Sequence, residues 1–442
     1  MSRLIRKQRS GKVLVFIGIM LIILLTMVAL VVDVGWVMVA RTQLHAAADA
    51  GSLAGGTELL PGLGANAFRT PAEVELRAKE QAEIFTELHE GGEAILDIEG
   101  ARDVRLGKAS LDRDSGVWNF EWGVSPYNAV GVTTRRSEIG TQSGDRPLPL
   151  FLGPVIGYDE VNVTRFSVAV ILPASGIRIP PGANFNSGLS PFAYLQETWE
   201  KYQRAQQHYE ENNLTATDLE SANGGTDFVD PLDGSPLYYE VVQRRGRDGA
   251  VSGGSIELRQ LFGDRYRVVD PELDTASNIV EESDGVLEAN IFPVNSEAGN
   301  FGTVDIGGLD NSTNVLQRQI TDGVSEEDLA QHENNEINPS EGEPIQLQGD
   351  TGISAGIESS LESILGQCRV ILLYTSVVNP GNNALYTIVD LTGIRIMEAD
   401  LRGRDKVLVI QPCSVSDPGG IPDFDEEIGD ETSFFTSLIL AR

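Results

Sequence analysis

Residues 13–32 carry no charge, and Thr26 is their only polar side chain. At about 1.5 Å rise per residue, twenty residues of helix run roughly 30 Å, enough to cross the hydrocarbon core of a bilayer. No other stretch of the 442 residues is as apolar over that length. The run is longer than the roughly 7–15 residues of a signal-peptide core, so an uncleaved signal anchor over 13–40 is expected. Asp33 follows it directly. At mid-bilayer an Asp costs about 2.5–3.5 kcal/mol, but at the outer end of the run that cost largely vanishes. Trp36 suits the same interface, and Arg41 sets a second polar boundary. Asp33 reads either as an ordinary interfacial acid or as the partner of a positive group on a neighbouring subunit.

The helical pattern continues beyond Arg41, with Leu44, Ala47, Ala48, Gly51 and Ala54 recurring at three and four. Ala46, Ala50 and Ala54 form one ridge of small residues, and Ala47, Gly51 and Gly55 another. Such ridges let a second backbone approach closely. That backbone belongs either to the rest of this chain or to another subunit. Gly55-Gly56 and Pro61-Gly62 end the helix. Thr70, Pro71 and Glu73 then form a capping box with proline at the first helical position. An apolar stripe of Val74, Ala78, Ala82, Phe85 and Leu88 runs toward Gly91-Gly92.

Over 94–173 the period shortens to two. Runs at 94–100, 103–111, 116–124, 128–137, 147–153 and 161–172 are short, rich in β-branched and aromatic residues and separated by turn residues. In 117–124, Trp118, Phe120, Trp122 and Val124 alternate with Val117, Asn119, Glu121 and Gly123, as in a half-buried strand. Residues 174–300 look irregular apart from a polar helix over 199–212. From 301 onward, short helices are expected over 314–320, 325–332 and 354–365, and a loop over 334–343. Strands are expected over 368–378, 385–397 and 406–410. Residues 423–431 read as an acidic loop, and FFTSLILA at 434–441 as a final strand packed on this last module. The chain thus divides into a stub (1–12), an anchor (13–40), an α+β module (41–173), an irregular middle (174–300) and a mixed α/β module (301–442). The fold class is α+β.

Charge sharpens this division. Five of the 33 basic residues and one of the 65 acidic residues precede Arg41, which leaves 28 basic and 64 acidic residues from there on, a net of −36. The five basic residues, Arg3, Arg6, Lys7, Arg9 and Lys12, place the N-terminus in the cytoplasm and the body outside it. An acidic body is repelled by nucleic acid and by anionic lipid, so neither is expected as its partner. The only two cysteines, Cys368 and Cys413, are expected to form a disulfide in an oxidising compartment, the alternative being two buried thiols.

No catalytic pattern emerges. His45, His89, His208 and His332 have no metal-ligand spacing, and the chain lacks G-x-S-x-G, H-E-x-x-H and P-loop motifs. The expectation is a non-enzyme with no cofactor, metal or small-molecule substrate. Its partners would be the bilayer, through 13–32, and other envelope proteins.

The segment 10–55 resembles the N-terminal region of the TadG-like family of Flp (tight-adherence) pilus-assembly proteins. Gly11, Asp33-Val34-Gly35, and Arg41, Gln43, Leu44, Ala47, Ala48, Asp49, Ala50, Leu53, Ala54 and Gly55 carry the resemblance. Asn128-Ala129-Val130, Val132, Arg135-Arg136 and PLPLFLG (147–153) are also similar to that family's pilin-like region. The segments 302–313, 349–357 and 380–403 resemble a subgroup of it. The resemblance implies a component of a Tad pilus or secretion system in a bacterial inner membrane. Many such proteins carry a von Willebrand A metal site. Here 168–176 reads VAVILPASG, with Ser175 but no Asp, so that site is not expected. The fifth residue after Gly11 is Phe16 rather than Glu, so prepilin cleavage is not expected either. Two other functions remain open. An adhesin would lose attachment, with pili still assembled, when the body after Val170 is removed. An envelope hydrolase would depend on one or two acids that no spacing singles out.

Overall fold

In the computed structural model of the chain, the apolar run and the small-residue stretch form one uninterrupted helix, α1, Lys12–Thr57. Its 46 residues extend about 69 Å at 1.5 Å per residue. The structure describes residues 12–63, 69–113, 115–138, 144–211, 301–307, 312–339, 343–350, 353–378, 384–402, 407–424 and 435–441, with six short strands between 244 and 292. The basic stub before Lys12, most of 212–300 and the acidic loop over 425–434 lie outside them. Among the described residues α1 is the one helix long and apolar enough to cross a membrane, and its apolar stretch is bare. The large side chains from Leu14 to Val32 are exposed, and burial begins at Asp33.

Helix α2, Pro71–Glu87, starts with the expected capping box between Thr70 and Glu73. It buries Val74, Ala78, Ala82 and Thr86, a row at strict i+4 spacing. Phe85 and Leu88, placed on the buried stripe by sequence, are exposed. α2 approaches α1 too closely to admit a large ring, and Thr86 takes the inner position, donating its hydroxyl to the Ala82 carbonyl at 2.7 Å.

Both helices cover one face of a first sheet. Its antiparallel strands β1 (Val104–Asp112), β2 (Val117–Trp122), β3 (Ala129–Arg136) and β4 (Val163–Arg178) lie in the order β2-β1-β3-β4. Alternation sorts the side chains. Val104, Leu106, Val130, Val132 and Ile171 face the helices, where they meet Leu59, Val74, Ala78 and Ala82. Ala109, Ala129, Val168, Val170 and Leu172 face away, under Trp118, Phe120 and Trp122. The run at 94–100 is not a strand, and its bridge, Glu90–Ile95, is local to the turn after α2. Only Leu148–Pro149 of the run at 147–153 is extended in a ladder, because its alternate prolines have no N–H to donate.

The second sheet contains β5 (Leu189–Leu195), β6 (Phe301–Val304), β7 (Ile345–Asp350), β8 (Cys368–Val378), β9 (Ala384–Asp400) and β10 (Val407–Pro412). Its pairings close on themselves: β9 with β7, β7 with β6, β6 with β5, β5 with β8, and β8 again with β9. A closed ring explains the unbroken apolar run of β8. Val370, Leu372 and Tyr374 join one core with Leu189, Ala193, Val304, Leu347, Tyr386 and Ile388, drawn from every strand of the ring. Ile371 and Leu373 point the other way, against Trp199, Tyr202, Leu316, Ile357 and Leu361. Trp199 and Tyr202 lie on helix α3 (Gln196–Glu211), and Leu316 on α4 (Thr313–Asp322). The helix expected over 354–365 is a 3-10 turn, Ala355–Ile357, running into a short helix, Glu358–Ser363.

The final strand is placed differently from its expected position on the last module. β11, Phe435–Leu440, pairs antiparallel with β4, not with the second sheet. Apolar content marked it as a strand, but its place was decided by the open edge of β4 opposite β3. Within the stretch read as irregular, β5 is a strand of the ring. Within the expected loop 334–343, Glu336–Ile337 pairs with the end of β4. The two sheets also share a core, since Ala174, Ile177 and Phe435 pack with the ring residues. Asp417 stitches them together. Its carboxylate accepts from the Gly188 amide at 2.6 Å, the Ser187 hydroxyl at 3.0 Å and the Gly419 amide at 2.8 Å. Burial pushes the Asp417 pKa up, against these three donors.

Cys368 and Cys413 form a disulfide with a Cα–Cα separation of 5.8 Å, joining the start of β8 to the residue after β10. Replacing both with Ser should lower unfolding stability by about 2–4 kcal/mol, since the bond closes a loop of 45 residues. Chemical denaturation with and without reductant checks this. Reductant should destabilise the native chain and leave the double variant unmoved.

A second expectation concerns Arg318 on α4. It holds Asp328 through Nη1–Oδ2 at 2.9 Å and Nη2–Oδ1 at 2.5 Å, while Asp328 also caps the short helix at Ser325. Burial works against the Asp328 carboxylate. Arg318 and the Ser325 donors outweigh it and hold the pKa below the usual value. A depressed carboxylate stabilises the fold above its ordinary pKa, and that contribution is lost as pH falls through the lowered value. Arg318→Met should therefore cost about 1–3 kcal/mol near neutral pH, discounted for the half-exposed arginine. The gap in Tm between native and variant should narrow below about pH 4. A gap constant from pH 3 to 7 would contradict the assignment.

Candidate functional site: the junction of the anchor with the body

α1 leaves its bare apolar stretch at Asp33, and from there each turn is fixed by a different contact. The Asp33 carboxylate is buried. Its Oδ1 accepts from the Phe151 amide at 2.8 Å, and the Leu152 amide donates to both carboxylate oxygens at 3.2 Å. One turn on, Trp36 Nε1 donates to the Pro149 carbonyl at 3.1 Å, and the Trp36 ring lies 5.4 Å from that of Phe151. Asp33 therefore engages neutral amides of its own chain. Charge-assisted bonds to two backbone donors are what a carboxylate needs to be buried at a membrane boundary. The motifs that meet here, Asp33-Val34-Gly35 and PLPLFLG, were each visible in the sequence. Their contact was not, because 118 residues separate Asp33 from Phe151.

Ala40, Leu44 and Ala47 come next, packed with Leu96, Leu148 and Val163. Thr134 donates its hydroxyl to the Leu44 carbonyl at 2.8 Å, and Gln43 Oε1 accepts from the Gly92 amide at 2.9 Å. Gly92 lies at φ +61°, a conformation that favours glycine. Arg136 locks the same turn by donating to the carbonyls of Gly91, of Gly92 at 3.0 Å and of Arg146 at 2.7 Å. Burial lowers the Arg136 pKa, and the nearby Asp145 charge opposes that shift.

The small-residue ridges then divide. Ala47, Gly51 and Gly55 are buried; Gly51 and Gly55 lie against α2 of this same chain, and Ala47 against Leu96, Leu148 and Val163. A Cβ at Gly51 would fall on Thr86 Oγ1 and 3.1 Å from the Ala82 carbonyl oxygen. One at Gly55 would lie 2.9 Å from the Ala78 carbonyl oxygen. Ala46 is exposed, and Ala50 and Ala54 are half-buried. A third ridge escaped the sequence reading. Ala48, Ser52 and Gly56 face the first sheet, where Gly56 meets Leu438 and Ala169, and Ser52 lies 3.4 Å from Ser167, whose hydroxyl donates to Asp49 at 2.5 Å. Ser52 interrupts an otherwise apolar ridge, and only tertiary placement reveals its partner.

Outside α1 the residues singled out by sequence have structural roles. Asn128 bridges β1 and β4, accepting from the Ala109 amide at 2.6 Å and donating to the Ala109 carbonyl at 3.1 Å. Arg135 pairs with Asp103, and with Glu138 at 2.8 Å. The stretch 168–176 lies within β4. Among the described residues no group of three His, Cys, Asp or Glu side chains is placed to hold a metal ion.

The seam between α1 and α2 is testable by one substitution. Gly51→Leu should destabilise the body by about 1–3 kcal/mol or more, because the clash includes backbone. Ala46→Leu, on the exposed face of the same helix, should stay within about 0.5 kcal/mol. Thermal unfolding of both full-length variants in detergent measures the difference, and equal effects would refute the assignment of the inner ridge.

Residues 11–58 match the family model described as "Putative Flp pilus-assembly TadE/G-like". No curated protein and no solved structure matches the chain. The matched residues cover the bare span, the Asp33 clamp and the ridges seated on α2 and the first sheet. This chain therefore carries, in its anchor and the junction with the body, a TadE/G-like Flp pilus-assembly segment.

Proposed function

We propose that the chain is a membrane-anchored, exported structural component of a Tad-type pilus or secretion system, working by protein–protein contacts and not by catalysis. One observation carries the reading. The helix matched by the TadE/G-like family model is bare over its first half and built into the α+β body over its second. A helix of this form transmits position from membrane to body. The basic residues before the span favour a cytoplasmic N-terminus, which puts the acidic body on the outer side of the inner membrane. The net of −36 on the body favours basic protein surfaces as its partners over anionic lipid or nucleic acid.

Cross-linking in intact cells, followed by solubilisation and affinity capture of the full-length chain, tests the proposal. Other Tad components should be recovered with it. A capture that preserves the pilus machinery yet brings down none of them would count decisively against the reading.

A further inference from the structure

Residues 147–158 form a loop, PLPLFLGPVIGY, without a single charge. It hangs between Arg146 and Asp159 and is closed by the pairs Leu148–Val161 and Pro149–Glu160. In a loop bathed by water the apolar side chains would turn inward. Here they turn outward: Phe151 is 58 % exposed, Val155 82 %, Ile156 56 % and Tyr158 67 %. A contiguous apolar surface of this kind on an exposed loop marks a surface built to be covered.

Three observations say what covers it. The first is place. The loop is bound through Phe151 and Leu152 to Asp33, the residue at which the bare apolar stretch of α1 ends. Its exposed side chains thus continue the exposed side chains of the span. The second is its backbone. The amides of Leu150, Phe151, Leu152, Val155, Gly157 and Tyr158 all donate hydrogen bonds within the chain, and Pro147, Pro149 and Pro154 have no N–H to satisfy. A loop that enters a poorly hydrated layer must satisfy its backbone in this way. The third is composition. Trp36, which donates to the Pro149 carbonyl, and the exposed Tyr158 are residue types that settle at the headgroup level.

We infer that the 147–158 loop is a second membrane contact, seated in the outer-leaflet interface beside α1 and held there by Asp33. This rests on the reading of α1 as a membrane span. Interfacial segments settle about 5–10 Å into the headgroup and upper acyl region, a depth that suits a loop clamped at the outer end of the span. A single helix leaves a body free to swivel about the membrane normal and to tilt. A span plus a loop beside it gives two points of attachment and fixes one face of the first sheet toward the lipid.

The test uses the full-length chain in lipid nanodiscs, with a polarity-sensitive fluorophore on one added cysteine and the native disulfide intact. The positions are Val155→Cys in the loop, Leu24→Cys in the span and Asn119→Cys on β2 as an aqueous reference. Nitroxide lipids carry the quencher either near the glycerol or near the chain end. The label at 155 should be blue-shifted and quenched about twofold or more by the shallow nitroxide and less by the deep one. The label at 24 should respond most to the deep nitroxide, and the label at 119 to neither. Asp33→Ala should weaken quenching at 155 and leave 24 unchanged. Quenching at 24 with 155 behaving like 119 would overturn the loop contact alone. A blue shift at 155 without quenching would mean that protein covers the loop, which overturns the lipid assignment. An unquenched label at 24 would remove the span and this inference with it. Undiminished quenching at 155 in the Asp33→Ala variant would refute the clamp.

Discussion

Close backbone approach along the second half of α1 is the constraint on which the rest of the molecule depends. A helix of about 69 Å that is bare for half its length acts as a lever, and its other half must be held without slack. Large side chains would hold it at a distance through mobile contacts. Small ones bring two surfaces directly onto its backbone, α2 at Gly51 and Gly55 and the first sheet at Ser52 and Gly56, while the side chains of Asp33 and Trp36 clamp the 147–158 loop. Dispersion contacts at such separations are individually weak and collectively strong, and they leave few alternative rotamers. The polar bonds, from Thr134 to the Leu44 carbonyl and from Ser167 to Asp49, fix the register of that seam.

Much of this was legible from local physics. The length of α1, the capping box of α2, the alternation in β2 and the strand at 368–378 each follow from a period or a motif contained in a few consecutive residues. What was not legible is long-range. A strict i+4 row on α2 ends in Thr86 and not Phe85 because of what α1 presents opposite it, and no pattern within α2 reports that. Asp33 could be placed at the interface by counting residues, but its partners lie 118 residues away and are backbone amides, which leave no trace in side-chain identity. Phe301–Val304 and Ile345–Asp350 are short and contain Gly302 and Gly349, so they read weakly as strands, although without them the ring would not close.

The closed ring and the first sheet are bound to each other. β4 runs through both cores, Asp417 ties the turn before β5 to the segment before β11, and β11 returns the end of the chain to the sheet that seats α1. Gly56 makes the point concretely. It lies against Leu438 of β11 as well as Ala169 of β4, so the anchor helix rests in part on a strand almost 400 residues further along the chain. The body is therefore completed only once the C-terminal strand is in place.

That dependence changes how rival functions can be separated. An adhesin reading invites deletion of everything after Val170, with loss of attachment taken as the answer. The deletion would cut β4 just where its ladder to β3 ends and remove β11 and the rest of β4 with it. Ala169 and Gly56 would lose the strand that covers them, and the seam holding α1 would open. Attachment and assembly would then fail together, whichever function the outer body serves. Discrimination requires changes that leave β4 and β11 intact, on surfaces the seam does not use, such as the exposed face of β2 at Asn119 and Glu121. A scaffold and an adhesin differ in which such surface is silent, and the fold permits that question only when it is asked one side chain at a time.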